Sequence, residues 1–176
     1  MSPAELDAFG SNAFGSSAFG SSAFESTVER FGPRRGPAAR AILAGVDGSD
    51  TAMRAAAYAF GLTRRQGGRL IVAFIARHSA LTTLGPPVAA AVEHDTTWQV
   101  YTELRDQIRS GAEELEVPVT LLKMFGDPYT ALRDTADRCQ VDTVVVGASQ
   151  KAGHRFAGSV ATKLIRAGHW PVLVVP

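Results

Sequence analysis

The sequence predicts an α/β fold, with a parallel sheet covered by helices on both faces. Short apolar runs recur at Ile42–Val46, Leu70–Ile75, Val144–Val146 and Val172–Val175, and Val119, Leu121 and Leu122 mark a further strand, as expected of strands buried on both sides. The segments between them carry apolar residues at helical spacing. Strand and helix alternate to the C-terminus, giving five strands and four helices, an order that favours parallel pairing through right-handed crossovers.

Residues 1–38 are set apart by composition. They contain the pentads Ala8-Phe9-Gly10-Ser11-Asn12, Ala13-Phe14-Gly15-Ser16-Ser17 and Ala18-Phe19-Gly20-Ser21-Ser22, and the decayed Ala23-Phe24-Glu25-Ser26-Thr27. A period of five suits neither a helix nor a strand, and Gly and Ser favour the unfolded chain, so this region reads as a disordered low-complexity tail. Its evenly spaced phenylalanines offer a second reading, as aromatic stickers for a partner. Phe31-Gly32-Pro33-Arg34-Arg35-Gly36-Pro37 closes the tail, and residues 39–176 form the folded domain.

The first strand runs into Asp47-Gly48-Ser49-Asp50, a turn whose Ser or Asp can cap the next helix. That helix places Met53, Ala56, Ala57 and Phe60 on one face and ends near Gly67-Gly68, where glycine accepts the left-handed cap. After the second strand, residues 77–92 show no clear period and contain Gly85-Pro86-Pro87, which predicts a surface loop. Val100, Leu104, Ile108, Ala112 and Leu115 mark another helix. Pro118 opens the third strand, a position suited to a sheet edge. Gly126-Asp127-Pro128 then supplies a cap and a first-turn proline, and Leu132, Ala136 and Cys139 face inward, making Cys139 a core residue.

The chain has 176 residues, a formal net charge of +1 and one cysteine. Dispersed charge argues against a nucleic-acid surface. The lone cysteine and the absence of a signal or membrane-length apolar run point to the cytoplasm. The histidines His78, His94, His154 and His169 lack paired metal spacing. Neither a Walker lysine nor a Gly-x-Gly-x-x-Gly fingerprint occurs, so the expectation is a protein that is not an enzyme.

Ligands of such sheets bind beyond the carboxyl ends of the strands. Here that rim carries Asp47, the end of the second strand, Gly126 and the glycine-punctuated segment Gly147–Ser159. A strand that feeds a glycine-rich loop opening a helix can present backbone N–H groups to phosphate.

Gly45-Val46-Asp47-Gly48-Ser49, Gly126-Asp127-Pro128, Val144-Val145-Val146-Gly147, Gly158-Ser159-Val160 and Pro171-Val172-Leu173-Val174-Val175 occur in this order. Together they resemble the universal stress protein family from about Arg40 to Pro176. The resemblance implies a Rossmann-like open five-stranded parallel sheet of order 3-2-1-4-5, a stress-linked regulatory role, and homodimers joined through the last strand. In one branch of the family it also implies ATP in the cleft. The candidate nucleotide-binding residues are then Asp47, Val72, Gly147, Gly158, Ser159 and Val160, with Asp47 toward the adenosine, Val72 beside the adenine and Ser159 toward phosphate.

That branch resembles a pattern of Gly, two residues, Gly, nine residues and Gly-Ser or Gly-Thr. Gly147 and Gly158-Ser159 match it, while Gln150 replaces the middle glycine and the interval to Gly158 is about two residues short. Lys151, His154 and Arg155 bring positive charge to this loop. Each matched residue also has a structural reading: Asp47 shapes a turn, Val72 fills the core, and Ser159 caps the last helix. Three functions follow as expectations: a dimeric regulatory module that binds an adenine nucleotide, a nucleotide-free adaptor acting through its surface and aromatic tail, and a slow ATPase.

Overall fold

A computed structural model describes residues 27–33, 40–76, 87–149 and 158–176, with side chains of 87–95 excepted. Its strands are β1 (Thr27–Phe31), β2 (Ala41–Val46), β3 (Arg69–Ala76), β4 (Val119–Phe125), β5 (Thr143–Gly147) and β6 (Val172–Val175). Its helices are α1 (Asp50–Gln66), α2 (Pro87–Glu114), α3 (Pro128–Cys139) and α4 (Ser159–Ala167). Residues 1–26, which carry the pentad repeat up to Ser26, and residues 34–39, 77–86 and 150–157 lie outside the described residues.

The sheet is mixed and six-stranded, in the order β1-β4-β3-β2-β5-β6. This corrects the expected five-stranded parallel sheet. Strands β2 to β6 are parallel in the expected relative order, but β1 adds antiparallel to β4. Thr27–Phe31 falls inside the segment read as tail. The strand has only two apolar residues, Val28 and Phe31, and depends on the rest of the domain for its partners. Its presence moves β4 away from the edge. Pro118 nevertheless fits before β4, where its carbonyl accepts the Leu70 N–H at 2.9 Å.

Alternate residues of the central strands pack into opposite layers, as strand geometry requires. Ile42, Ala44, Leu70, Val72, Leu121 and Val145 join α1 and α2. Leu43, Ile71, Ala73, Leu122, Val144 and Val146 join α3 and α4. This two-sided burial explains why the strands read as continuous apolar runs.

Ser49 caps α1 by accepting the Ala52 N–H, and Gly67 ends it at φ 63°. The buried face of α1 is Ala52, Ala55, Ala56, Ala59, Phe60 and Thr63, whereas Ala57 is exposed and Met53 half-buried. The expected face was therefore rotated: a stripe of small alanines goes inward because it allows close approach to the sheet. The buried Thr63 hydroxyl is satisfied by Ala59 O at 2.7 Å. Residues 87–92 correct the expected loop, since α2 begins at Pro87. Proline is favourable in a first turn, and the uniformly apolar Val88-Ala89-Ala90-Ala91-Val92 gave no period to read. Asp127 caps α3 through the Thr130 N–H at 2.9 Å, with Pro128 in the first turn. Cys139 is buried, and burial pushes its thiol pKa up despite the opposing charges of Arg69 and Arg138.

A buried cation lies on the opposite face of the sheet, against α2. Lys123 on β4 is 4% exposed, with its ammonium 3.3 Å from the Trp98 ring centre and 4.9 Å from that of Tyr101. Aromatic faces stabilise a positive charge that would otherwise be costly to desolvate.

Tyr101 connects α2 to β1 by donating its hydroxyl to Glu29 Oε1 at 2.6 Å. Burial first, and then this bond, raises the Tyr101 pKa above the ordinary value near 10. The neutral hydroxyl therefore contributes stability in full below about pH 10, and the contribution is lost as the pH climbs beyond that. Tyr101→Phe is expected to cost about 1–2 kcal/mol at neutral pH. It should also flatten the fall of the urea midpoint between about pH 9.5 and pH 11. Equal alkaline losses in both proteins would refute this role.

Candidate functional site

The carboxyl ends of the parallel strands share one rim, because every crossover returns the chain to the opposite side. A cleft of about 1110 Å³ opens there between the ends of β2, β3 and β5 and the starts of α1, α3 and α4. Its floor includes Val46, Phe74, Ile75 and Val146, and Thr96, Thr97 and Val100 of α2 form part of its wall. An apolar floor with a few polar groups at the mouth is the usual make-up of a small-molecule site.

Asp47 lies at this mouth. Its Oδ1 accepts the Ser49 N–H at 3.1 Å and the Ser49 hydroxyl at 2.7 Å. The aspartate thus shapes the turn that delivers the capping serine, and it also lines the cleft. The two sequence readings of Asp47 are compatible.

Gly147 ends β5 against the first turn of α1. A Cβ there would lie 2.6 Å from both Ala52 N and Thr51 C, so a hydrogen is all that the approach permits. Gly158 precedes α4 and abuts Ser149, whose Cβ would be 3.1 Å from an added methyl. The two described ends of the intervening loop are therefore neighbours. Gln150, Lys151, Gly153, His154 and Arg155 lie outside the described residues.

The start of α4 differs from the expected cap. Gly158 is its N-cap, with no side-chain hydrogen bond, and Ser159 is already the first helical residue. The first intrahelical bond of this turn runs from Thr162 N–H to Gly158 O at 2.9 Å. The amides of Ser159, Val160 and Ala161 precede it, as orphan donors do at any helix start. All three residues line the cleft.

Val72 does not line it. It is fully buried in the middle of β3, paired with Ala44 and Leu121, because β3 continues to Ala76 before reaching the rim. Phe74, Ile75 and Ala76, farther along β3, line the cleft instead. The structure thus brings Asp47, Gly147, Gly158, Ser159 and Val160 together and leaves Val72 in the core. Sequence reasoning missed Lys163 and Arg166, which line the cleft on α4. Their spacing of four and seven residues from Ser159 places them on one helical face and was the available signal. Among the described residues, no group of three His, Cys, Asp or Glu side chains is placed to hold a metal ion. Among them, too, no helix is long and apolar enough to cross a membrane.

The model of the universal stress protein family matches residues 39–176. The chain belongs to this family. Universal stress protein MJ0531 of Methanocaldococcus jannaschii is 26% identical over 144 residues, covering 76% of this chain and 80% of the relative. Among solved structures, universal stress protein UspA from Lactobacillus plantarum has a TM-score of 0.63 at 22% identity, covering 78% of this chain and 97% of that one. A universal stress protein in complex with cAMP has a TM-score of 0.57 at 24% identity, with the same two coverages, 78% and 97%. The strand β1 lies before the part of this universal stress protein that the family model matches.

Proposed function

We propose that this universal stress protein is a regulatory module that binds an adenine nucleotide in the rim cleft and does not catalyse its turnover. The observation that carries this reading is the mouth of the cleft, where the Asp47 turn faces a helix start without a side-chain cap. The dipole and orphan amides of such a helix favour an anion, while Asp47 offers acceptors to hydroxyl or amino groups. Lys163 and Arg166 supply cations suited to phosphate, and the apolar floor suits a planar base. The cAMP-bound structure of a similar fold supports the ligand class. ATP is the first candidate within that class, although Gln150 and the short loop depart from the ATP-binding pattern.

Equilibrium dialysis against ATP, ADP, AMP and cAMP, with mass analysis of nucleotide released on denaturation, tests the reading. Binding of at least one is expected, and Lys163→Ala with Arg166→Ala should weaken ATP roughly tenfold while affecting AMP less. No binding at millimolar ligand and no released nucleotide would remove the proposal.

The same reading includes a homodimer through β6. This strand ends the sheet, and its residues Val172 to Val175 are apolar and only half-buried. Such an edge invites pairing with a second copy. Light scattering at micromolar concentration should give twice the chain mass, and a monomer alone would count against it. The adaptor reading rests on the aromatic tail, whose repeat phenylalanines lie outside the described residues.

A further inference from the structure

Strand β1 is held by several kinds of contact, all to parts of the chain far along the sequence. Its backbone pairs from Thr27 with Lys123 to Phe31 with Val119. Glu29 accepts the Tyr101 hydroxyl on Oε1 and Arg105 Nε on Oε2, each at 2.6 Å. The side chains of Arg105 and Glu29 are only 31% and 21% exposed, so this pair is shielded more than an ordinary surface ion pair. The guanidinium carbons of Arg105 and Arg109 lie 5.7 and 5.4 Å from the centre of the Phe31 ring, within cation–π range.

The opposite face of the strand is read as well. Val28 packs into the layer formed by α3 and α4, while Phe31 packs into the layer of α1 and α2. Gly32 then turns the chain at φ +75°, and a Cβ there would lie 2.3 Å from Val117 O. Backbone bonds that supply affinity, combined with alternating side-chain contacts that supply specificity, are the physics of strand addition by a bound peptide.

We propose that the β4 edge and the facing side of α2 form a strand-binding site for an extended Val-Glu-x-Phe-Gly segment. Residues 28–32 of this chain are its resident ligand, held without need of the covalent link and displaceable by a competing strand. Because β1 runs antiparallel, Thr27 pairs near the carboxyl end of β4. Thr27 therefore lies toward the rim that bears the cleft. This inference does not depend on nucleotide binding.

The test uses the full chain with a site-specific protease sequence in place of residues 34–39. After cleavage, the N-terminal fragment should co-elute with the remainder in native gel filtration, as confirmed by mass spectrometry. A fluorescent peptide of residues 25–33 should then exchange into the cut complex. Peptides carrying Glu29→Ala, Phe31→Ala or Gly32→Ala should each bind at least tenfold more weakly, a loss of about 1.4 kcal/mol. The substitutions sit in the peptide, so the folded part is identical in every arm. Separation of the fragment during filtration, failure of the intact-sequence peptide to exchange within a day, or equal binding by all four peptides would each overturn the proposal.

Discussion

Gly147→Val is expected to cost roughly 3 kcal/mol, near the upper end for overpacking, and to lower Tm by about 10 °C. The atoms that a Cβ would meet are Ala52 N, Thr51 C and Thr51 O, at 2.6, 2.6 and 2.8 Å. They are backbone, so no rotamer change relieves the clash, and α1 must lift from β5. That motion would carry Ser49, which caps α1, and with it the Asp47 turn. Thermal unfolding followed by circular dichroism measures the loss, and an unchanged Tm would show that the approach is looser than described. If the cleft binds nucleotide, the variant should lose that binding at temperatures where it is still folded.

Leu132→Ala should destabilise the domain by about 3 kcal/mol, because a nearly fully buried leucine leaves a void that its surroundings only partly fill. Its neighbour makes the prediction sharper. A Cβ on Gly45 would lie 2.9 and 3.0 Å from Leu132 Cδ1 and Cδ2, so Gly45→Ala alone should cost about 1–2 kcal/mol. With Leu132 cut to alanine, the added methyl enters the space just vacated. The double variant should then be more stable than the sum of the single losses predicts, by about 1 kcal/mol. Urea midpoints of the four proteins test this, and additivity would show that the two positions do not share their space.

The parallel part of the sheet was legible because β2 to β6 are apolar on both faces and spaced by helical segments. Asp127-Pro128 and Gly67 marked helix ends by local chemistry, which needs no tertiary partner to be read. The start of α2 was not legible, because Pro87 and five apolar residues in a row fit a loop or a buried helix equally well. In the candidate site, Asp47, Gly147, Gly158, Ser159 and Val160 could be named from motifs that sit at strand and helix ends. Val72 was misplaced because sequence gives no measure of how far β3 extends beyond the residue matched by family resemblance. Lys163 and Arg166 look like ordinary solvated charges until the position of α4 beside the cleft is known.

What the sequence determined by itself was therefore a set of local choices: the five parallel strands, the N-terminal caps of α1 and α3, and the covering of both sheet faces. Hydrophobic period and turn chemistry are properties of neighbouring residues, so they can be read along the chain. Tertiary structure alone decided that Thr27–Phe31 is a strand. Its stability comes from Tyr101, Arg105, Arg109 and the β4 backbone, and no short window of sequence contains those partners. The same holds for the rim cleft, where Gly147 is required by the backbone of a helix that begins nearly a hundred residues earlier. Contacts of that range depend on how the layers pack, and packing is settled only when the whole domain is assembled.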